Sequence, residues 1–187
     1  MEAINIIQDV VGKVNEELRV LREDFDVLVK KTEKRKTSKL FKGIQFEFYL
    51  EKWNLSKKEK QARYANLTVQ LYALVEQSLK DLYRELHNGT EFVPKKPKGL
   101  KKPENIIVQL QNALSSRINF EFATPYNIKD LADLRNEILH KEYSLKTARE
   151  KVFGKNGYKN NKTLFPDLLE TVEEYFNNIQ PKEAVAS

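Results

Sequence analysis

Residues 130–144 read DLADLRNEILHKEYS and bring Arg135, Asn136 and His140 within six positions of one another. These are residue types with complementary chemistry. Histidine exchanges protons near neutral pH, arginine presents a planar fork to phosphate oxygens, and asparagine can orient either of them. At about 100° per residue, Leu131, Leu134 and Ile138 stack into one apolar stripe, and Arg135 borders it. Asp133, Asn136, Glu137 and His140 fall on the far side, with Asn136 and His140 one turn apart.

Four readings of His140 follow from its type and place. A structural histidine belongs on or beside the apolar stripe, yet His140 lies about 160° from the stripe's centre. A solvated histidine at a helix end is favoured by the helix dipole. Glu137-Ile-Leu-His140 matches the Glu-x-x-His element of di-iron bundles, but such a site needs two copies and two further inward glutamates, and one outward copy is present. No metal site is expected. The fourth reading is proton transfer beside a bound phosphate.

The elements that must position these residues are helices almost throughout. Ile4, Ile7, Val11, Val14, Leu18, Leu21, Phe25 and Leu28 recur at 3-4 spacing and predict a long amphipathic helix with a heptad seam. Residues 44–53, IQFEFYLEKW, alternate partly like a strand without an evident partner and read as an irregular apolar bridge or short helix. Ser56 and Glu59 form a capping box that opens a helix through Ala65, Thr68, Tyr72, Val75, Leu79, Leu82 and Leu86, stopping at Asn88-Gly89. A second stripe of Leu67, Leu71 and Leu74 makes it the central helix. Pro103 at a helix start leads to the stripe Ile107, Leu110 and Leu114. Asn127 caps the helix that carries Arg135, with Asp130 in its first turn. Ser144 caps a brief helix ending near Gly154, and Pro166 begins a last one through Leu168, Leu169, Val172, Tyr175 and Phe176. The fold class is an all-α bundle of about five main helices.

Composition limits the partners. The 187 residues contain no cysteine, which excludes disulfides and thiolate metal sites and fits a reducing, cytoplasmic setting. No run of about 18 apolar residues suggests a membrane span, and the periodic, acidic start is unlike a signal peptide. The net charge of +6 is unevenly placed. Residues 30–42 contribute +6, residues 94–102 add +5 and residues 154–162 add +3, so the rest of the chain carries −8. Basic connections between mildly acidic helices suit a polyanion passing over loops, although solvated lysine loops give the same pattern. Lys95, Lys96, Lys98 and Lys141 are the lysines assigned to RNA on this reading. Trp53 and the aromatics of 41–49 could stack on bases, but core packing is their ordinary use. His87, at the end of the central helix, reads as structural.

Arg135-Asn136-Glu137-Ile138-Leu139-His140 resembles the Arg-polar-x-x-x-His signature of HEPN domains, all-α bundles that include bacterial ribonuclease toxins and phage-defence effectors. The motif lies late in a leucine-rich helix, after a long central helix and before a last helix FPDLLETVEEYFNNI, as in that family. The resemblance covers roughly 56–180. Residues 1–55 then form an N-terminal long helix and basic, aromatic connector, and 181–187 a disordered tail.

The resemblance implies a metal-independent endoribonuclease that needs no cofactor. In such chemistry the neighbouring 2′-hydroxyl attacks the phosphate, so the protein supplies a proton acceptor, a proton donor and positive charge. It assigns His140 as general base or acid, Arg135 as phosphate ligand and Asn136 as orienting group. A homodimer that shares the site, an RNA substrate and a cognate antitoxin are the implied partners. Two other readings stay open: a non-catalytic HEPN protein binding a nucleotide, RNA or protein through the same face, and a structural dimer built on the heptad helix.

Overall fold

The computed structural model describes residues 2–34, 45–95, 105–120, 128–140, 144–154, 157, 158 and 160–182, with side chains described from 3–29 in the first helix and from 57 in the second. The chain is an all-α bundle. Its elements run α1 (Glu2–Lys34), α2 (Gln45–Leu86), α3 (Ile106–Leu114), β1 (Ile118–Phe120), α4 (Ile128–His140), α5 (Leu145–Phe153), α6 (Asn161–Asn177) and β2 (Ile179–Pro181).

The heptad seam of α1 is spent inside the chain. Ile7, Val10, Val14, Leu18, Leu21, Phe25 and Leu28 are buried, and α1 packs on α2, α6 and β2. Val10 takes the inward place and Val11 is only partly buried, because a 3.6-residue turn drifts against a strict heptad. Ile4 stays exposed. Phe25 lies 5.2 Å from Phe165 of α6 and 5.9 Å from Tyr64 of α2, which joins three helices at one aromatic contact. Arg22 reaches Glu173 of α6 at 2.9 Å on the surface above it. Outside the seam, Ile4, Val20 and Val27 are the large apolar side chains that α1 leaves exposed.

The central helix is longer than its sequence signals suggest. The capping box at Ser56 and Glu59 does not open it; helix continues from Gln45 through those residues. Of the two readings of 44–53, bridge or short helix, residues 45–53 are helix, continuous with the rest of α2 and not a short one. No proline or glycine stands between Gly43 and Gly89, so nothing forces the backbone out of the helix at the capping pattern. Downstream the reading holds. Leu71, Val75, Leu79 and Leu82 are fully buried, with Tyr64, Leu67, Tyr72 and Leu86 nearly so. The buried Thr68 hydroxyl donates to the Tyr64 carbonyl at 2.9 Å, satisfying a polar group that faces the core. The helix ends in a left-handed turn: Asn88 has φ 54, and the Gly89 N–H reaches back to the Arg84 carbonyl at 2.8 Å.

Two other helix starts also move. Asn105, not Pro103, caps α3, its side chain accepting from Ile107 N at 2.9 Å. Asn160 caps α6 by accepting from Lys162 N and Thr163 N, so that helix begins five residues before Pro166 and holds the proline inside it. In both cases an asparagine that satisfies orphan amides, one at α3 and two at α6, outweighs a proline that merely tolerates a first turn. Ser144 caps α5 as expected, accepting from Thr147 N at 3.4 Å, and Gly154 closes it with φ 74. Asn127 lies outside the described residues.

A short antiparallel clip joins the two ends of this half. Ile118, Asn119 and Phe120 pair with Pro181, Gln180 and Ile179, and Lys182 N donates to the Arg117 carbonyl at 2.9 Å. Pro181 therefore belongs to a strand and not to a tail; residues 183–187 lie outside the described residues. Phe120 stacks on Tyr175 at 5.7 Å, and the Tyr175 hydroxyl accepts from Gln111 at 3.0 Å.

One polar group is buried among α2, α5 and α6. Arg149 is 6% exposed, donates to Asn161 Oδ1 at 3.0 Å, and has Glu150 at 3.9 Å. Asn161 in turn donates to Gln61 at 2.8 Å, while Arg149 Nε has no partner. Removing the asparagine strands a buried charge, whereas removing the charge does not. Asn161→Ala is expected to cost about 3 kcal/mol, and Arg149→Met, which keeps volume without charge, about 1 kcal/mol or less. Urea unfolding midpoints of the two variants check this, and the reverse order would make the guanidinium itself the stabilising group.

Candidate active site

The inner stripe of α4 folds it onto the bundle as its periodicity requires. Ile128, Leu131, Ala132, Leu134 and Ile138 are buried, and the helix packs chiefly on α5 and α2. This fixes what faces out. Asn136 and His140 are exposed, Arg135 is half-buried at the edge, and Leu139 is 42% exposed between them.

Arg135 meets the bundle through Tyr72 of α2. Its guanidinium carbon lies 5.3 Å from the centre of the tyrosine ring, and Nη1 donates to Asn136 Oδ1 at 3.0 Å. Arginine has no acceptor, so the amide must turn its oxygen toward it. The Asn136 NH2 group is thereby left facing away as a donor. His140 is the last residue of α4, one turn beyond Asn136 on the same side. The structure thus joins Arg135 to Asn136 directly and sets His140 next in line along the same surface.

Tyr72 carries the signature of this environment. Burial pushes its phenol up to about 12; the charge of Glu76 and a hydrogen bond to that carboxylate push the same way, and Arg135 opposes them. Glu76 is in turn paired with Lys80 at 2.5 Å, both only partly exposed. In the sequence Tyr72 reads as core alone. The spacing Tyr72, Glu76, Lys80 at successive turns of α2 was available to suggest the network, but not which helix it would face.

Glu137 leaves the outer face. It pairs with Lys151 of α5 and is half-buried, so it braces α4 against α5 where the sequence placed it beside Asn136. Among the described residues no three His, Asp or Glu side chains gather as metal ligands. Lys95 is exposed, its backbone N–H donating to Gln109 of α3 at 2.8 Å, which ties it to α3 and not to α4. Lys96, Lys98 and Lys141 lie outside the described residues, as do the side chains of Trp53 and the aromatics of 41–49. His87 stacks on Tyr83 with ring centres 4.0 Å apart, and its Nδ1–H donates to the Tyr83 carbonyl at 2.8 Å, a placement that serves the end of α2. No helix among the described residues is long and apolar enough to cross a membrane.

Comparison of the chain with protein-family models, with curated proteins and with solved structures finds no match.

The state of Tyr72 is directly measurable. Its phenol is raised in the fold above the ordinary tyrosine value near 10, so the protonated form is the one that folding favours. The stabilising contribution is complete below about pH 10 and is lost as pH rises toward 12. An alkaline absorbance titration is expected to show Tyr72 ionising late, and Tyr72→Phe should flatten the fall in unfolding free energy between pH 10 and 12. An unchanged fall in the variant would assign it elsewhere.

Proposed function

We propose that this protein is a HEPN-type, metal-independent endoribonuclease that cleaves single-stranded RNA as a toxin or phage-defence effector in the cytoplasm. The observation that carries the reading is the row of polar residues on α4: half-buried Arg135 bonded to exposed Asn136, with exposed His140 one turn beyond, on a helix late in an all-α bundle. A core role for His140 is at odds with its exposure.

In this reading the RNA supplies its own nucleophile. A histidine takes the proton of the 2′-hydroxyl, the 2′-oxygen bonds to phosphorus, and the bond from phosphorus to the 5′-oxygen breaks. A proton donor protonates the departing 5′-oxygen, which leaves a 2′,3′-cyclic phosphate and a 5′-hydroxyl. Arg135 holds the phosphate oxygens as their charge concentrates, and Asn136 holds Arg135 while offering its NH2 group outward.

One chain supplies one histidine at the site, and two proton transfers need two groups. A twofold pairing of α4 faces repeats the patch and supplies both. The 42% exposure of Leu139 beside His140 supports contact there, and no contribution from the α1 seam is needed. The lysines at 95, 96, 98 and 141 would guide the RNA, and an antitoxin would act by covering the same face.

Purified protein is expected to cut single-stranded RNA in EDTA and leave cyclic phosphate ends; strict magnesium dependence would sink the mechanism. His140→Ala and Arg135→Ala should each lose at least about a hundredfold in rate, the usual worth of a proton-transfer or charge-stabilising group. His140→Ala should alter stability by no more than about 0.5 kcal/mol, and Arg135→Ala, which loses the Tyr72 contact, by about 1 kcal/mol. Light scattering checks the dimer. Mixed dimers of native and His140→Ala chains should lose most activity if the site is shared. RNA bound but never cut would point instead to a non-catalytic HEPN protein using the same face.

A further inference from the structure

Arg135 is held by two contacts of different kinds. Asn136 is its neighbour on the same helix and moves with it, whereas Tyr72 belongs to α2 and refers the guanidinium to the rest of the bundle. The ring is itself fixed. Tyr72 is 7% exposed, and Glu76 and Lys80 pair at the next two turns of α2. A guanidinium carbon 5.3 Å from the centre of a buried ring is drawn to that face by the ring's negative quadrupole, which restrains its side-chain rotamers.

We propose that Tyr72 is the positioning residue of this site: its ring fixes the plane of Arg135 so that one edge of the guanidinium is presented, preset, to a phosphate. The edge follows from the hydrogen bonds. Nη1 is taken by Asn136, and among the described residues Nε and Nη2 have no hydrogen-bond partner. Those two donors form the side of the fork that grips two oxygens of one phosphate at once. Without the ring the side chain regains its rotamers, and Glu76, one turn along α2, becomes a competing carboxylate. The catalytic consequence rests on the ribonuclease reading; the positioning itself does not.

Two variants separate the ring from the hydroxyl. Tyr72→Phe keeps the platform, and Tyr72→Met fills the space without one. On RNA, Tyr72→Phe is expected to stay within about twofold of the native kcat/KM. Tyr72→Met should lose about tenfold, mostly in kcat, the scale of a partly desolvated cation–ring contact acting on a transition state. Tyr72→Met combined with Arg135→Ala should be no slower than Arg135→Ala alone. In the protein without RNA, the Arg135 Nε–H resonance should show an upfield ring-current shift in native and Tyr72→Phe chains and lose it in Tyr72→Met. An unshifted Arg135 signal in the native chain overturns the proposal, as does a folded Tyr72→Phe variant as slow as Tyr72→Met. Should Tyr72→Met fail to fold, the native and Tyr72→Phe resonances and rates still decide. Should the native chain cut no RNA, the ribonuclease reading falls and the resonance alone decides the positioning.

Discussion

The bundle depends on one helix that every other described helix touches. Over its 42 residues α2 packs against all five other helices, and the two stripes through Leu67, Leu71 and Leu74 and through Val75, Leu79 and Leu82 are what permit it. Each fully buried leucine or valine contributes roughly 2 kcal/mol of transfer free energy, but the larger effect is geometric. A close-packed interior admits few alternative side-chain arrangements, so helices that share one axis are placed relative to one another as well as to it. The surface of α4 inherits its orientation from this.

On that surface polar groups divide by what lies beneath them. At one flank of α4, Glu137 is drawn down to Lys151 of α5; at the other, Arg135 is laid on Tyr72 of α2. Both are half-buried, where a partner is needed to offset lost hydration. Between and beyond them Asn136 and His140 need no such offset and remain open to solvent. The outer face is therefore sorted into bracing residues at its edges and available ones along its middle, although the sequence gives all of them the same polar character.

How much of this was legible in the sequence depended on the range of the interaction. Periodicity alone identified the core faces of α1, the later part of α2, α3 and α4, because burial repeats every 3.6 residues whatever lies opposite. It also showed that Asn136 and His140 face outward. Boundaries were harder, since a capping box, a Pro103 and a Pro166 each permit a start, and only competition with Asn105, Asn160 and the uninterrupted run from Gln45 decides. Contacts between elements were invisible: nothing local in RINFEF or NIQP announces the β1–β2 pairing, which joins residues about sixty positions apart. Tyr72 under Arg135 and Asn161 beside Arg149 are of the same kind. Their residue types are ordinary, and their meaning comes from which helix arrives opposite.

The junction of α1 with α6 has a kinetic consequence. Phe25 meets Phe165, and Arg22 meets Glu173, across some 140 to 150 residues of chain, so α1 can pack on α2 early but completes its contacts only when α6 arrives. Most helical bundles fold fast because their contacts are local. Here the closing contact is among the most remote available, and the entropy of joining those ends must be met before the aromatic cluster forms. Until then the face of Phe25 turned toward Phe165 lacks its cover. The last step in closing the bundle is thus timed by the distance along the chain between two phenylalanines.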